Sequence, residues 1–194
     1  MTGRMKNEQT ESMKTAEQYD GVMARCRDIF VKKMKDYGPS WRIMRPQTVN
    51  DQLFIKIKRI RELETTGVNL VGDSIDGELV AIVNYSIVGL IQLQYNYADQ
   101  VDMSASEALQ HYDSFAAEAK RLMMSKNHDY GEAWRDMMQS SVTDMIYTKI
   151  LRNKSILAND NRTLVSEGAD GNYFDMVNYA VFNLIKREEQ QKNN

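Results

Sequence analysis

The stretch Lys126–Asp136, KNHDYGEAWRD, is a second writing of Lys33–Ile43, KMKDYGPSWRI. A shift of 93 positions lays Lys33–Arg59 onto Lys126–Arg152 without a gap, and twelve of those 27 positions are identical. They are Lys33/Lys126, Asp36/Asp129, Tyr37/Tyr130, Gly38/Gly131, Trp41/Trp134, Arg42/Arg135, Met44/Met137, Val49/Val142, Asp51/Asp144, Lys56/Lys149, Ile57/Ile150 and Arg59/Arg152. With one residue inserted in the second copy, the register continues at a shift of 94. Asp76-Gly77 then matches Asp170-Gly171, Val83-Asn84-Tyr85 matches Val177-Asn178-Tyr179, and Leu90-Ile91 matches Leu184-Ile185. Upstream, Tyr19-Asp20 matches Tyr112-Asp113. Self-similarity at a fixed period marks one folding unit written twice. The first repeat is placed at 18–95, the linker at 96–110 and the second repeat at 111–190.

Each copy reads as three helices. The chain holds two prolines and ten glycines in 194 residues, is rich in Met, Leu, Ala, Glu, Lys and Gln, and lacks alternating strand patterns. The first helix is expected over Glu17–Lys35 and Ser106–Asn127, stopping near Gly38 and Gly131. Ser104-x-x-Glu107 has the form of a capping box that opens the second copy's first helix. The second helix is expected over Val49–Glu64 and Val142–Leu157, and the third over Asp73–Tyr95 and Glu167–Glu189. Three helices enclose a poor core by themselves. The expected fold is therefore all-α: a helical bundle of two tandem three-helix repeats related by a pseudo-two-fold axis, packed as a homodimer would pack. The ends, Met1–Thr10 and Gln190–Asn194, are expected to fray.

Bulk composition narrows the function classes. Apolar residues make up 42% and charged residues 27%, which fits a soluble globular chain. A net charge of −2 argues against nucleic acid as the main partner, because phosphate-backbone binding leaves a basic footprint. One cysteine, Cys26, rules out a disulfide framework, and with only His111 and His128 a zinc site is not expected. The opening twenty residues have no apolar run. The most apolar stretch, Leu79–Leu93, is short for a membrane span and carries Asn84, so it reads as a buried helix. A cytoplasmic location without membrane contact is the expectation, and a homodimer is compatible with it.

Three groups of residues can carry chemistry. In the third helix of the second copy, Glu167, Asp170, Asp175 and Asn178 fall within about 140° of one another at 100° per residue. Clustered carboxylates with amide support suit Mg²⁺, while acids in a first turn also complement the helix dipole. The first copy keeps Asp73, Asp76 and Asn84 but has Ala81 in place of the third acid, so its site is expected to be weakened or degenerate. In the second helix, Lys56 and Arg59, repeated as Lys149 and Arg152, share a face suited to a polyphosphate or to ordinary surface ion pairs. In the opening motif, Asp36 and Asp129 cap the turn or hold Arg42 and Arg135. Tyr37, Tyr130, Trp41 and Trp134 stack a nucleobase or pack under the loop. No nucleophile elbow, Cys–His pair or glycine-rich phosphate loop is present, so any catalysis is hydrolysis by metal and water.

The series Lys-x-x-Asp-Tyr-Gly-x-x-Trp-Arg, Lys-Ile-x-Arg, Glu/Asp-x-x-Asp and Asp-x-Val-Asn-Tyr, the last with Ala81 for its Asp in the first copy, resembles the nucleotide modification associated domain 1, and the resemblance covers both repeats. That domain in turn resembles the all-α MazG and dimeric dUTPase group of nucleoside triphosphate pyrophosphohydrolases. The resemblance implies Mg²⁺ held by Glu167, Asp170 and Asp175 as catalytic acids, with Asp73 and Asp76 in the first copy. Lys56, Arg59, Lys149 and Arg152 would neutralise phosphate, with Asn84, Asn178 and the motif aromatics around a free nucleotide, modified or unmodified. The product would be a nucleoside monophosphate and pyrophosphate. The chain departs from the MazG pattern in its second helix, which is basic, and Glu62 and Glu64 become Ser155 and Leu157 in the second copy. A nucleotide-binding module without turnover and a structural bundle are the rival readings.

Overall fold

Gly38 and Gly131 end the first helix of each copy in the left-handed region, at φ 64° and 60°, where a side chain is strained. Their N–H groups close the helices onto Met34 and Asn127 at 3.1 and 2.9 Å. In this computed structural model, which describes residues 2–70, 72–165 and 167–193 and side chains from residue 12 onward, those helices are α1 (Thr2–Tyr37) and α4 (Ala105–Tyr130). The Trp-Arg pair of each motif then sits in a one-turn 3₁₀ helix, Ser40–Ile43 and Ala133–Asp136. Pro46 at the first helical position opens α2 (Pro46–Thr66), where its missing N–H costs nothing. α3 (Ile75–Tyr95) is capped by Ser74, α4 by the expected Ser104–Glu107 box, and α5 (Gln139–Ala158) and α6 (Ala169–Asn193) complete the chain.

The described residues form six α-helices and no strand, the all-α bundle of two repeats that the sequence pattern predicts. Several boundaries differ, the ends of the chain most. Helix α1 begins at Thr2 and α6 runs to Asn193, where frayed ends were expected. Extending an existing helix through residues such as Glu, Lys, Gln and Met needs no new nucleus. Asp73 also lies before the Ser74 cap, not on α3.

The two third helices, α3 and α6, cross at the centre. Helices α2 and α5 lie against α3 and α6 respectively and against each other, and α1 and α4 pack outside. Helix α3 has the length and composition of a membrane span, but 67% of its apolar window is buried inside the bundle, as its role in the core demands. Where α3 and α6 approach, Gly89 faces the Tyr173 ring: a Cβ there would lie 2.5 Å from a ring carbon.

The halves are joined by reciprocal bonds. Tyr19 in α1 donates to Asn178 Oδ1 in α6 at 2.7 Å, and its counterpart Tyr112 in α4 donates to Asn84 Oδ1 in α3 at 2.8 Å. Asn84 also donates to the Cys26 carbonyl at 3.0 Å. Thr143 and Glu64 join α5 to α2 at 2.9 Å, and Arg187 of α6 reaches Asp76 of α3.

The motif arginines are structural anchors. Arg42, 2% exposed, donates to Asp102 at 2.9 and 3.2 Å, to the Asn96 carbonyl at 2.6 Å and to Gln92, so it holds the linker. Arg135 instead binds Glu132, Gln18 and Glu189 at 3.0, 2.8 and 3.2 Å, tying both chain ends to the second motif. Asp36 and Asp129 do not hold them, contrary to one expected role: both are exposed, and Asp129 meets His128. The 3₁₀ turn carries each arginine inward, away from the helix-terminal aspartate.

Gly89→Ala is expected to destabilise the fold by about 1–3 kcal/mol, because the added methyl must displace the Tyr173 ring. Gly21→Ala on exposed helical surface, with nothing within 4 Å of its Cβ, is expected to be neutral or to stabilise by about 0.5–1 kcal/mol. Urea melts of the two variants check the pair. Tyr19→Phe and Tyr112→Phe are each expected to cost about 1–3 kcal/mol, since each leaves a buried amide oxygen without its donor, and the same melts measure this.

Candidate functional site

The motif, the end of the first helix and the middle of the third build an equivalent cavity in each repeat. In the second copy it is about 230 Å³, lined by Lys126, Asn127, Tyr130, Trp134, Asp175, Asn178 and Tyr179 over an apolar floor of Met123, Met137, Met145 and Phe182. In the first copy it is about 60 Å³, with Lys33, Tyr37, Trp41, Asn84 and Tyr85 at matching positions and Phe30, Met44 and Val88 on the floor. The spacing of the duplicated motif thus specifies a cavity as well as a fold.

The aromatics take different parts. Trp41 and Trp134 are walls, 5% and 6% exposed. The Trp134 ring lies 4.3 Å from Phe182 at 4° between planes, and the Arg135 guanidinium sits 4.3 Å from its centroid. A parallel ring and a guanidinium that close take both faces of the indole, so Trp134 has no face for a base and offers only its edge. Its Nε1, like that of Trp41, is buried without a hydrogen-bond partner. Tyr37 and Tyr130 stand at the rims, 56% and 72% exposed, and are free to lie over a ligand. Asn84 and Asn178 line the cavities while their oxygens are committed to the cross-repeat tyrosines, so they serve the fold first.

Asp175 is the one acid on the floor of the larger cavity. It is 6% exposed and is shared by two lysines: Lys126 from α4 and Lys149 from α5, each at 2.6 Å. Burial pulls the Lys126 ammonium down, but the hydrogen bond and charge of Asp175 outweigh it, and its pKa is raised overall. Tyr179 is pushed up by burial and then by Asp175. Lys126 was not among the predicted site residues. Its signal was present, as it opens the duplicated motif, but the link to Asp175 depends on how α4 lies against α6.

Lys149 also lines a second, open groove of about 700 Å³ between α5 and the segment before α6. Arg152, Arg162, Asn159, Ser155, Asn172 and Glu167 line it with Lys149. The Lys149–Asp175 pair is therefore the wall between an aromatic cavity and a basic groove. Among the described residues, Arg152 and Arg162 make no ion pair. Their part of the groove carries uncommitted positive charge, and Arg162 and Asn159 were missed because a loop, not a helical period, brings them there.

The expected Mg²⁺ ligands are dispersed. Among the described residues no three His, Cys, Asp or Glu side chains come together as a cation-binding group. Glu167 is exposed ahead of α6, not on it as expected, Asp170 is exposed in its first turn, and Asp175 is held by its two lysines. In the first copy Asp73 pairs with Arg59 at 3.0 Å and Asp76 pairs with Arg187 of the other repeat. These residues do not fit a protein-held divalent cation, because each paired acid already has a cation and the others stand apart. The helical wheel places residues on a face but not their neighbours, and the basic residues of neighbouring helices take the acids.

Ala81 does not leave the first copy without a buried carboxylate. Glu78, 2% exposed, supplies it one turn earlier, meeting Lys56 at 3.0 Å and Arg59 at 3.1 Å. Asp73 gives no helical reference for this position, since α3 starts only after Ser74. The lysine of each basic pair thus serves the acid of its own copy: Lys56 with Glu78, and Lys149 with Asp175.

Comparison with known proteins agrees with the duplication. The family description "nucleotide modification associated domain 1" matches the chain twice, over residues 33–93 and 126–186, more than half of its length. No curated protein and no solved structure matches it. The two matched segments begin at Lys33 and Lys126 and hold the motif, the basic second helix and the third helix, and with them most of the residues that line both cavities, and the chain is a tandem member of the nucleotide modification associated domain 1 family.

Proposed function

We propose that the second repeat binds a free nucleotide, the base in the aromatic cavity and the phosphates along the basic groove. The observation that carries this reading is the Lys149–Asp175 pair as a shared wall, with Lys126 and Tyr130 on the cavity side and Arg152 and Arg162 on the groove side. A planar, half-polar base suits a cavity of methionines and aromatics with a tyrosine at the rim. Lysine point charges and arginine forks suit successive phosphates. Asp175 holds two cations in place before the ligand arrives, which lowers the ordering cost of binding.

Binding without turnover fits these residues better than pyrophosphohydrolysis of the MazG kind. Hydrolysis by a protein-held Mg²⁺ needs gathered carboxylates, and here Asp73, Asp76 and Asp175 are salt-bridged while Glu167 and Asp170 lie exposed. A Mg²⁺ ion that enters on the phosphates of the nucleotide remains part of the proposal, as does a free nucleotide, and not a nucleic acid, as partner.

Isothermal titration with nucleosides and their mono-, di- and triphosphates, with and without Mg²⁺, tests the reading, with pyrophosphate release followed in parallel. Affinity is expected to rise from nucleoside to triphosphate with no pyrophosphate formed. Lys149→Ala is expected to weaken binding about 10- to 100-fold, the worth of a charge-assisted contact. Asp175→Asn is expected to retain binding, because the loss of its hold on Lys126 and Lys149 is offset by the removal of a competitor of phosphate for them; a catalytic acid would instead be essential to turnover. Absence of heat with every nucleotide overturns the proposal, and stoichiometric pyrophosphate release replaces it with the hydrolase.

A further inference from the structure

The two repeats keep the same motif but not the same cavity, and the differences fall at particular positions. Phe30 stands where the second copy has Met123, and it stacks on Tyr112 with ring centroids 4.5 Å apart. This stiff ring is pinned in place, and the cavity above it holds about 60 Å³ against 230 Å³ in the second copy. The acids have also moved. The positions equivalent to Glu78 and Ala81 are Asn172 and Asp175, so the buried carboxylate lies one helical turn earlier in the first repeat. From there Glu78 takes both members of the repeated basic pair of α2, Lys56 at 3.0 Å and Arg59 at 3.1 Å, and Asp73 takes Arg59 as well. In the second repeat Asp175 takes Lys126 and Lys149, while Asn172 carries no charge and Arg152, the partner of Arg59, has no ion pair among the described residues.

Resting on the nucleotide-binding reading above, we infer that the chain is a one-site protein: the second repeat takes the phosphorylated ligand, and the first is a closed structural counterpart whose second-helix pair, Lys56 and Arg59, is neutralised internally. Duplication here supplies the pseudo-two-fold partner that a homodimer would otherwise supply, and it lets one half give up binding while it keeps its packing. The first repeat retains Trp41, Asn84 and Arg42 because the bundle needs them: a core ring, the acceptor for Tyr112 and the anchor of the linker. It retains Lys33, at the edge of the small cavity, without an equivalent of Asp175.

The matched lysines give the test. Full-length protein is titrated calorimetrically with each of the four deoxynucleoside triphosphates, as wild type, Lys33→Ala, Lys126→Ala and the charge-balanced Lys126→Ala/Asp175→Ala double variant. A melt of each free protein reports whether it folds. The expected result is about one ligand per chain, affinity within twofold of wild type for Lys33→Ala, and at least a tenfold loss for both Lys126 variants while the melts still show a folded chain. If the single Lys126 variant fails to fold, the double variant decides. Two ligands per chain, or equal losses from Lys33→Ala and Lys126→Ala, overturn the one-site inference and leave nucleotide binding standing. No binding by any of the four overturns the binding reading, and this inference with it.

Discussion

Two tyrosine hydroxyls, each spent on an asparagine of the opposite repeat, hold this structure together as one body. Tyr19 with Asn178 and Tyr112 with Asn84 are buried, short and reciprocal. A buried amide cannot go unpaired cheaply, so each bond fixes how an outer helix of one repeat lies on the central helix of the other. The register of α3 against α6 follows, with Gly89 under the Tyr173 ring, and from that register follows which second-helix cations meet which third-helix acids.

The same constraint explains why the duplicated motif has two jobs. Its glycine ends a helix, its tryptophan enters the core and its arginine is consumed by the ends and linker of the chain. What the motif offers outward is its lysine and tyrosine. In the second repeat these meet Asp175 and a cavity large enough to matter, and in the first they meet a smaller one. A motif conspicuous in sequence is thus mostly scaffold, and the binding chemistry depends on the few positions where the copies differ.

Among the described residues, the buried acids are all paired. Asp175 and Glu78 are each flanked by two cations from neighbouring helices, the arrangement that makes a carboxylate tolerable away from water. In the second repeat the cationic surplus passes to Arg152 and Arg162 at an open groove, and that surplus turns a structural ion pair into the back wall of an anion site. Chemistry by gathered carboxylates and charge recognition by gathered cations draw on the same residue types. Only their neighbours separate the two.

The sequence by itself determined the helices, the duplication and most boundaries, because these depend on local information: Gly38 and Gly131 as stops, Ser104–Glu107 as a cap, and one motif at a constant shift. It also determined the family, through that motif. It named Lys149, Arg152 and Asp175, since an unusual charge on a helical face is visible at a period of 3.6. It did not place Lys126 on Asp175, Asp76 on Arg187 or Glu78 on Arg59, and it grouped Glu167, Asp170 and Asp175 as metal ligands that the fold keeps apart. Helical periodicity says which way a side chain points. Only tertiary packing decides what it meets, because an ion pair is set by the crossing of two helices whose sequences are far apart.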